Sequence, residues 1–102
     1  MRLGQVIGRI TLNRTDPSYN GGRWLVVSPF DRDQYLNGPQ DRLSAHPAAI
    51  VYDNLGAGAG DTIGFVEGAE ATAPFDYPMP IDAINAAIID HYHYDPPTTK
   101  KA

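Results

Sequence analysis

Apolar residues in this chain recur mostly at period two. Residues Leu3 to Leu12 read LGQVIGRITL. Val6, Gly8, Ile10 and Leu12 share one face, while Gln5, Ile7, Arg9 and Thr11 share the other, as in a strand with one dry and one mixed face. The segment Asn13 to Gly22 is dense in turn formers, with Pro17 and Gly21-Gly22 among them. Arg23 to Ser28 (RWLVVS) predicts a second strand, ended by Pro29, which has no N–H for a ladder. Ala48 to Leu55 (AAIVYDNL) and Asp61 to Glu67 (DTIGFVE) predict a third and a fourth, separated by the loop Gly56-Ala57-Gly58-Ala59-Gly60. Between the second and third strands, Phe30 to Pro47 reads as a long surface loop with a turn signal at Asn37-Gly38. Ala69 to Ala73 fits one helical turn, and Pro74, Pro78 and Pro80 stop any helix beyond it. Ile81 to Tyr94 is open to two readings. Ile81, Ile84 and Ile88 fit helical spacing, whereas Ile88-Ile89 and the alternation His91, Tyr92, His93, Tyr94 fit a strand. Four strands and one ambiguous element, joined by Gly/Pro turns, point to a small closed β-barrel, with an open antiparallel sandwich as the alternative.

Composition narrows this picture. The chain has 102 residues, so one domain is expected, spanning residues 1–94, with a solvated tail at 95–102. Only two Glu and two Lys are present, which argues against a helical bundle. Ten Gly and nine Pro suit a turn-rich β protein. No run of about 18 apolar residues is available to span a membrane. The first residues also lack the apolar segment of a signal peptide, which makes the cytoplasm the expected compartment. The absence of cysteine excludes disulfides, thiolate catalysis and Cys-based zinc sites. A formal net charge of -4 argues against a nucleic-acid binder, which usually carries a basic patch.

Three groups of residues invite a chemical reading. His91 and His93 would share one side of a strand, and with Asp90 or Asp95 they offer donors for zinc. A strand end carrying polar rings is the plainer account, because spacing alone shows no convergence. Asp31, Asp33 and Asp41 resemble a calcium loop but lack the glycine and terminal Glu of an EF-hand, and Arg32 and Arg42 intervene. The Gly-x-Gly-x-Gly of Gly56 to Gly60 resembles a phosphate loop. The glycines should then open a helix, and a strand-like segment beginning with Asp61 follows instead. A tight hairpin is the plain alternative. A more specific one is close approach of these backbones to a ligand or to a symmetry-related copy. No serine sits in a Gly-x-Ser-x-Gly context, so no nucleophile elbow is present.

Several stretches, taken in order, resemble a known family. Val6-Ile7-Gly8, Asp16-Pro17 and Leu25-Val26-Val27 resemble its opening. Asp53-Asn54-Leu55-Gly56-Ala57-Gly58-Ala59-Gly60-Asp61 with Val66-Glu67-Gly68 resembles its central signature. Pro80-Ile81-Asp82-Ala83 leading to Ala87-Ile88-Ile89-Asp90 resembles its close. This is the EutN/CcmL family, the pentameric vertex proteins of bacterial microcompartment shells, and the likeness spans roughly Met1 to Asp90. The resemblance implies an all-β fold, a small five-stranded OB-like barrel with a short helical turn, assembling as a cyclic pentamer. It also implies a strand at about Asn85 to His93. Its expected partners are other copies of the chain and the hexameric and trimeric shell tiles, with no nucleic acid and no membrane. It implies no catalytic residues, no metal and no cofactor. On this reading Gly56, Ala57, Gly58, Ala59 and Gly60 are the candidates to line the opening on the five-fold axis. An OB-type module for single-stranded nucleic acid or oligosaccharide is the alternative function. The chain departs from the family pattern at Ala69-Glu70-Ala71-Thr72, at Asn85 where an aliphatic residue is usual, in the length of the Phe30–Pro47 loop, and in the tail.

Overall fold

A computed structural model describes residues 1–95, so the expected tail lies outside the described residues apart from Asp95. Five strands form: β1 (Arg2–Ile10), β2 (Arg23–Pro29), β3 (Ala49–Asp53), β4 (Thr62–Glu67) and β5 (Ala83–Ile89). They close into a barrel in the order β1-β2-β3-β5-β4. All neighbouring pairs are antiparallel except β3 and β5, which run parallel and meet through one pair, Tyr52 opposite Ile84. Short 3-10 turns occupy Pro17–Tyr19 and Gly68–Thr72, the latter where one helical turn was expected. No helix of the described residues is long and apolar enough to cross a membrane.

Period-two alternation turns Val6, Leu25, Val27, Val51, Ile63 and Phe65 into the barrel, where Ala57 and Ala83 join them. Burying such side chains contributes roughly 1.5–3 kcal/mol each for the large ones. The interior is tight enough to dictate a glycine. A Cβ on Gly4 would lie 2.6 Å from Val27 Cγ1 and 2.9 Å from the Ser28 carbonyl. The expected dry face of β1 requires correction. It stays inward only as far as Val6, because a β-bulge between Val6 and Gly8 shifts the register. One extra residue exchanges the two faces. Arg9 therefore stands opposite Leu25, while Ile10 and Leu12 are exposed.

A second apolar cluster lies outside the barrel. Tyr52, Ala71, Met79 and Ile84 are buried there beneath Tyr19, Trp24, Phe75 and Ile81. The Tyr19 and Trp24 rings meet nearly perpendicular at 4.8 Å, and Trp24 meets Tyr52 at 5.4 Å. Such pairs add about 0.5–1.5 kcal/mol beyond the area they bury.

The segment expected as an irregular loop contains a helix, α1 (Arg32–Asn37). A reciprocal cap starts it. Asp31 Oδ1 accepts from the Gln34 N–H at 2.9 Å, and Gln34 Oε1 accepts from the Asp31 N–H at 3.0 Å. Gly38, with φ 90°, ends it, so the turn signal at Asn37-Gly38 marks a helix C-terminus. The buried Gln34 amide also donates to the carbonyls of Pro39 and Arg42 at 3.0 Å each. The Arg42 guanidinium, and then the Gln34 N–H, hold the Asp31 carboxyl below the usual carboxylate range. The clasp is complete above the carboxylate's unfolded pKa and is lost as pH falls through the lowered folded value.

The strand implied at Asn85 to His93 is corrected to Ala83–Ile89. Beyond it the chain leaves the barrel to hold α1. The Tyr92 hydroxyl lies 2.8 and 2.9 Å from the carbonyl oxygens of Gln34 and Tyr35. The Leu3 N–H donates to the Tyr35 hydroxyl at 2.8 Å, which ties the helix to β1.

Candidate functional site

The Gly56–Gly60 loop connects β3 to β4. These strands are not neighbours, so the loop is a crossover at one end of the barrel and the hairpin reading is corrected. One carboxylate organises it. Asp53, the last residue of β3, is 1% exposed. Its Oδ1 accepts from the Leu55 N–H at 3.1 Å, and its Oδ2 accepts from the N–H groups of Gly56 at 3.1 Å and Ala57 at 3.0 Å. Asn85, also buried, donates its side-chain amide to Oδ1 at 2.9 Å. Arg23 Nε stands 3.9 Å from Oδ2 and supplies opposite charge from a half-exposed position. A buried carboxylate needs this number of donors, because an unpaired one costs several kcal/mol.

The far side of the loop is held in the same way. Asp61 Oδ2 accepts from the Gly58 N–H at 2.8 Å, the Asp61 N–H donates to the Gly58 carbonyl at 3.0 Å, and the Gly60 N–H donates to the Val6 carbonyl at 2.8 Å. The amides of Gly56, Ala57, Gly58 and Gly60 thus all donate within the chain. A phosphate cradle needs such N–H groups free and convergent, so the loop does not present one. Gly56 and Gly60 have φ of 95° and 93°, the left-handed region that favours glycine. Gly58 lies outside that region, and a Cβ there would meet no atom within 4 Å. Positive φ is thus confined to the two ends of this loop and absent from its centre. Of the five candidate axis residues, Ala57 is buried in the barrel core, and Gly56, Gly58, Ala59 and Gly60 are exposed. Beside them, Gly8, Arg9, Arg23 and Leu25 complete a mainly apolar hollow of about 230 Å³.

The other candidate groups are distributed differently. Asp31 and Asp33 do not converge on an open site; they pair with Arg42 at 2.8 and 3.2 Å. His91 and His93 line a cleft of about 620 Å³ with Tyr35, Leu36, Ile89 and Tyr92. The His91 ring lies 3.5 Å from the Asp90 carboxylate, and both side chains are almost fully exposed. Among the described residues, no three His, Asp or Glu side chains come together as metal ligands. Sequence reasoning missed the Asp53–Asn85 pair. Its signals were an Asp three positions ahead of a glycine loop and one amide in the apolar run of β5.

A family model described as ethanolamine utilisation protein EutN/carboxysome, EutN_CcmL, matches residues 1–90. The chain belongs to the EutN/CcmL family. None of the curated protein sequences matches it. Solved structures of the same fold agree with the family. The Escherichia coli ethanolamine utilization protein EutN is 26% identical with a TM-score of 0.73, over 92% of this chain and 89% of that one. The GrpN pentameric microcompartment shell protein from Rhodospirillum rubrum is 25% identical with a TM-score of 0.73, over 93% of this chain and all of the other. The pentameric shell protein of the RMM microcompartment is 26% identical with a TM-score of 0.66, over 87% of this chain and all of the other.

This EutN/CcmL chain depends on Asp53 for the shape of its loop. Asp53→Ala is expected to lower stability by roughly 3–5 kcal/mol, since it leaves three amides and Asn85 without their acceptor. Asn85→Leu, which removes one donor, should cost roughly 1–3 kcal/mol. Urea unfolding measures both, and equal, negligible losses would contradict the assigned role of the pair.

Proposed function

We propose that this chain is a structural shell protein that assembles as a homopentamer and caps the vertices of a bacterial microcompartment. The observation that carries the reading is the family match over residues 1–90, joined to pentameric shell proteins whose whole length aligns with this barrel. Its partners on this reading are further copies of itself and the hexameric and trimeric tiles of the facets. The role is one of shape and is not catalytic, and it calls for no cofactor and no metal. Flat hexagonal packing does not close, and a five-fold unit at each corner supplies the missing curvature. A contact that repeats head to tail closes into such a ring when its rotation is one fifth of a turn. The single-stranded nucleic acid or oligosaccharide alternative is disfavoured by the net charge of -4 and by the amides spent inside the glycine loop.

Within the ring, Gly56, Gly58, Ala59 and Gly60 are proposed to border the axial opening, with Ala57 anchoring them to the barrel core. Backbone and methyl groups suit a place where five copies crowd together. Residues 1–94 form the ring-building domain on this reading.

Shell tiles produced with this chain should give closed polyhedra, and tiles produced without any vertex-type chain should give open sheets, tubes or leaky shells in electron micrographs. Normal closed polyhedra in the latter case would overturn the reading. Gly58→Leu is a finer test. Its side chain meets open space in the single chain, so monomer stability should change by no more than about 0.5 kcal/mol. Repeated five times around an axis, the same side chain should weaken the ring. A Gly58→Leu protein that assembles as well as wild type would remove Gly58 from the axis.

A further inference from the structure

Of the five asparagines in the chain, two are followed by glycine, in Asn20-Gly21 and Asn37-Gly38. That dipeptide carries a reaction of its own. The glycine backbone nitrogen can close a five-membered ring on the asparagine amide carbon, and glycine has no side chain to obstruct the approach. Both asparagines are exposed, so exposure does not separate them. Hydrogen bonding does. At Asn37 both reacting groups are engaged. The Gly38 N–H donates to the Gln34 carbonyl at 2.7 Å as the helix cap, and the Asn37 side-chain amide donates to Asp33 Oδ1 at 2.9 Å. Residues Tyr19 to Gly22 instead form a type II turn. Asn20 has φ -59° and ψ 138°, Gly21 has φ 89°, and the Gly22 N–H donates to the Tyr19 carbonyl at 3.1 Å. The Asn20 carbonyl, the Gly21 N–H and the Asn20 side chain have no hydrogen-bond partner among the described residues. A Cβ built on Gly21 would meet no atom within 4 Å. The Asn20–Gly21 peptide can therefore rotate toward the Asn20 side chain without giving up a hydrogen bond of its own and without a clash.

We propose that Asn20 is the site at which this chain deamidates, and that Asn37 is protected by its helix cap. The Gly21 backbone nitrogen loses its proton and attacks the Asn20 Cγ. The bond from Cγ to the side-chain nitrogen breaks, and that nitrogen takes up a proton and leaves as ammonia. Water then opens the cyclic imide at one of its two carbonyls. One opening gives aspartate, and the other gives isoaspartate, in which the main chain runs through the side-chain carbons. Water is the only co-reactant, and nothing is oxidised or reduced. Either product adds a negative charge to the turn, and the isoaspartyl form also lengthens the main chain between Tyr19 and Gly22. This turn carries the outer aromatic cluster. The Tyr19 hydroxyl donates to the Pro80 carbonyl, the Tyr52 hydroxyl donates to the Tyr19 carbonyl at 3.2 Å, and a Cβ on Gly22 would overlap the Tyr52 ring. A longer main chain displaces Tyr19 or Gly22 from that packing, against the single tryptophan, Trp24.

The test incubates the purified full chain in mildly alkaline buffer, folded and in guanidinium chloride. Samples are digested at intervals and their peptides resolved by liquid chromatography and mass spectrometry, which separates the aspartyl and isoaspartyl products. In the folded chain, Asn20 should convert at least about ten times faster than Asn37, where two hydrogen bonds must break first. In guanidinium chloride the two rates should draw level, because the fold no longer distinguishes them. Trp24 emission should move to longer wavelength as the isoaspartyl form accumulates, and should stay constant in Asn20→Gln. Equal conversion of both asparagines in the folded chain, or conversion of Asn37 first, would overturn the assignment. So would an Asn20 that is stable while folded and converts only in guanidinium chloride. Unchanged Trp24 emission in fully converted protein would overturn the effect on the aromatic cluster and leave the site standing.

Discussion

The Asp53 carboxylate is the contact on which the rest of this molecule depends. It sits where β3 runs out and accepts four hydrogen bonds, three from consecutive backbone amides and one from Asn85. β3 and β5 are paired at a single position, Tyr52 opposite Ile84, so the Asp53–Asn85 bond one residue further along is what ties the barrel's parallel seam together. The same oxygens fold the following residues back over the barrel end and seat the Ala57 methyl in the core. Closure of the barrel and the shape of the glycine loop are therefore one event. A buried acid that is fully donated to is a rigid element; the same acid short of one donor would be a defect costing 1–3 kcal/mol or more.

Two apolar clusters extend that rigidity in different directions. The inner one fills the barrel, and the outer one fixes the Tyr19, Trp24 and Phe75 region to its wall. The Tyr92 hydroxyl, from the residues after β5, then clasps α1, and the Gln34 amide ties the helix to Pro39 and Arg42 beyond it. A frame held from inside and outside suits a protein whose contribution is a fixed angle between neighbours. A vertex unit that flexed would spread its curvature over many geometries.

The strands were legible because period-two burial is a local signal. β2 and β4 differ from the expected spans by one residue, and the inward positions Leu25, Val27, Val51, Ile63 and Phe65 follow their alternation. β1 was misread beyond Val6, since a bulge leaves no mark on hydrophobicity. α1 was missed although Asp31 and Gln34 stand at capping-box spacing. Six residues are too few for helical periodicity to show, and the Tyr92 hydroxyl that holds the helix comes from more than fifty residues away in the chain. Asp53 and Asn85 lie 32 residues apart, so their hydrogen bond was invisible to local reasoning. Asn85 stood out as an amide in an apolar run, and its meaning follows from the carboxylate it serves. The glycine loop was recognised as special, but which glycines need positive φ emerged only with the crossover that bends them.

The family match and the pentameric shell proteins that align with this barrel carry one claim, that the chain exists as a ring of five. Sedimentation equilibrium of the purified wild-type protein at micromolar concentration tests it most directly. A single species with five times the chain mass of 11.1 kDa is the predicted result. A monomer or a dimer over the same range would contradict it.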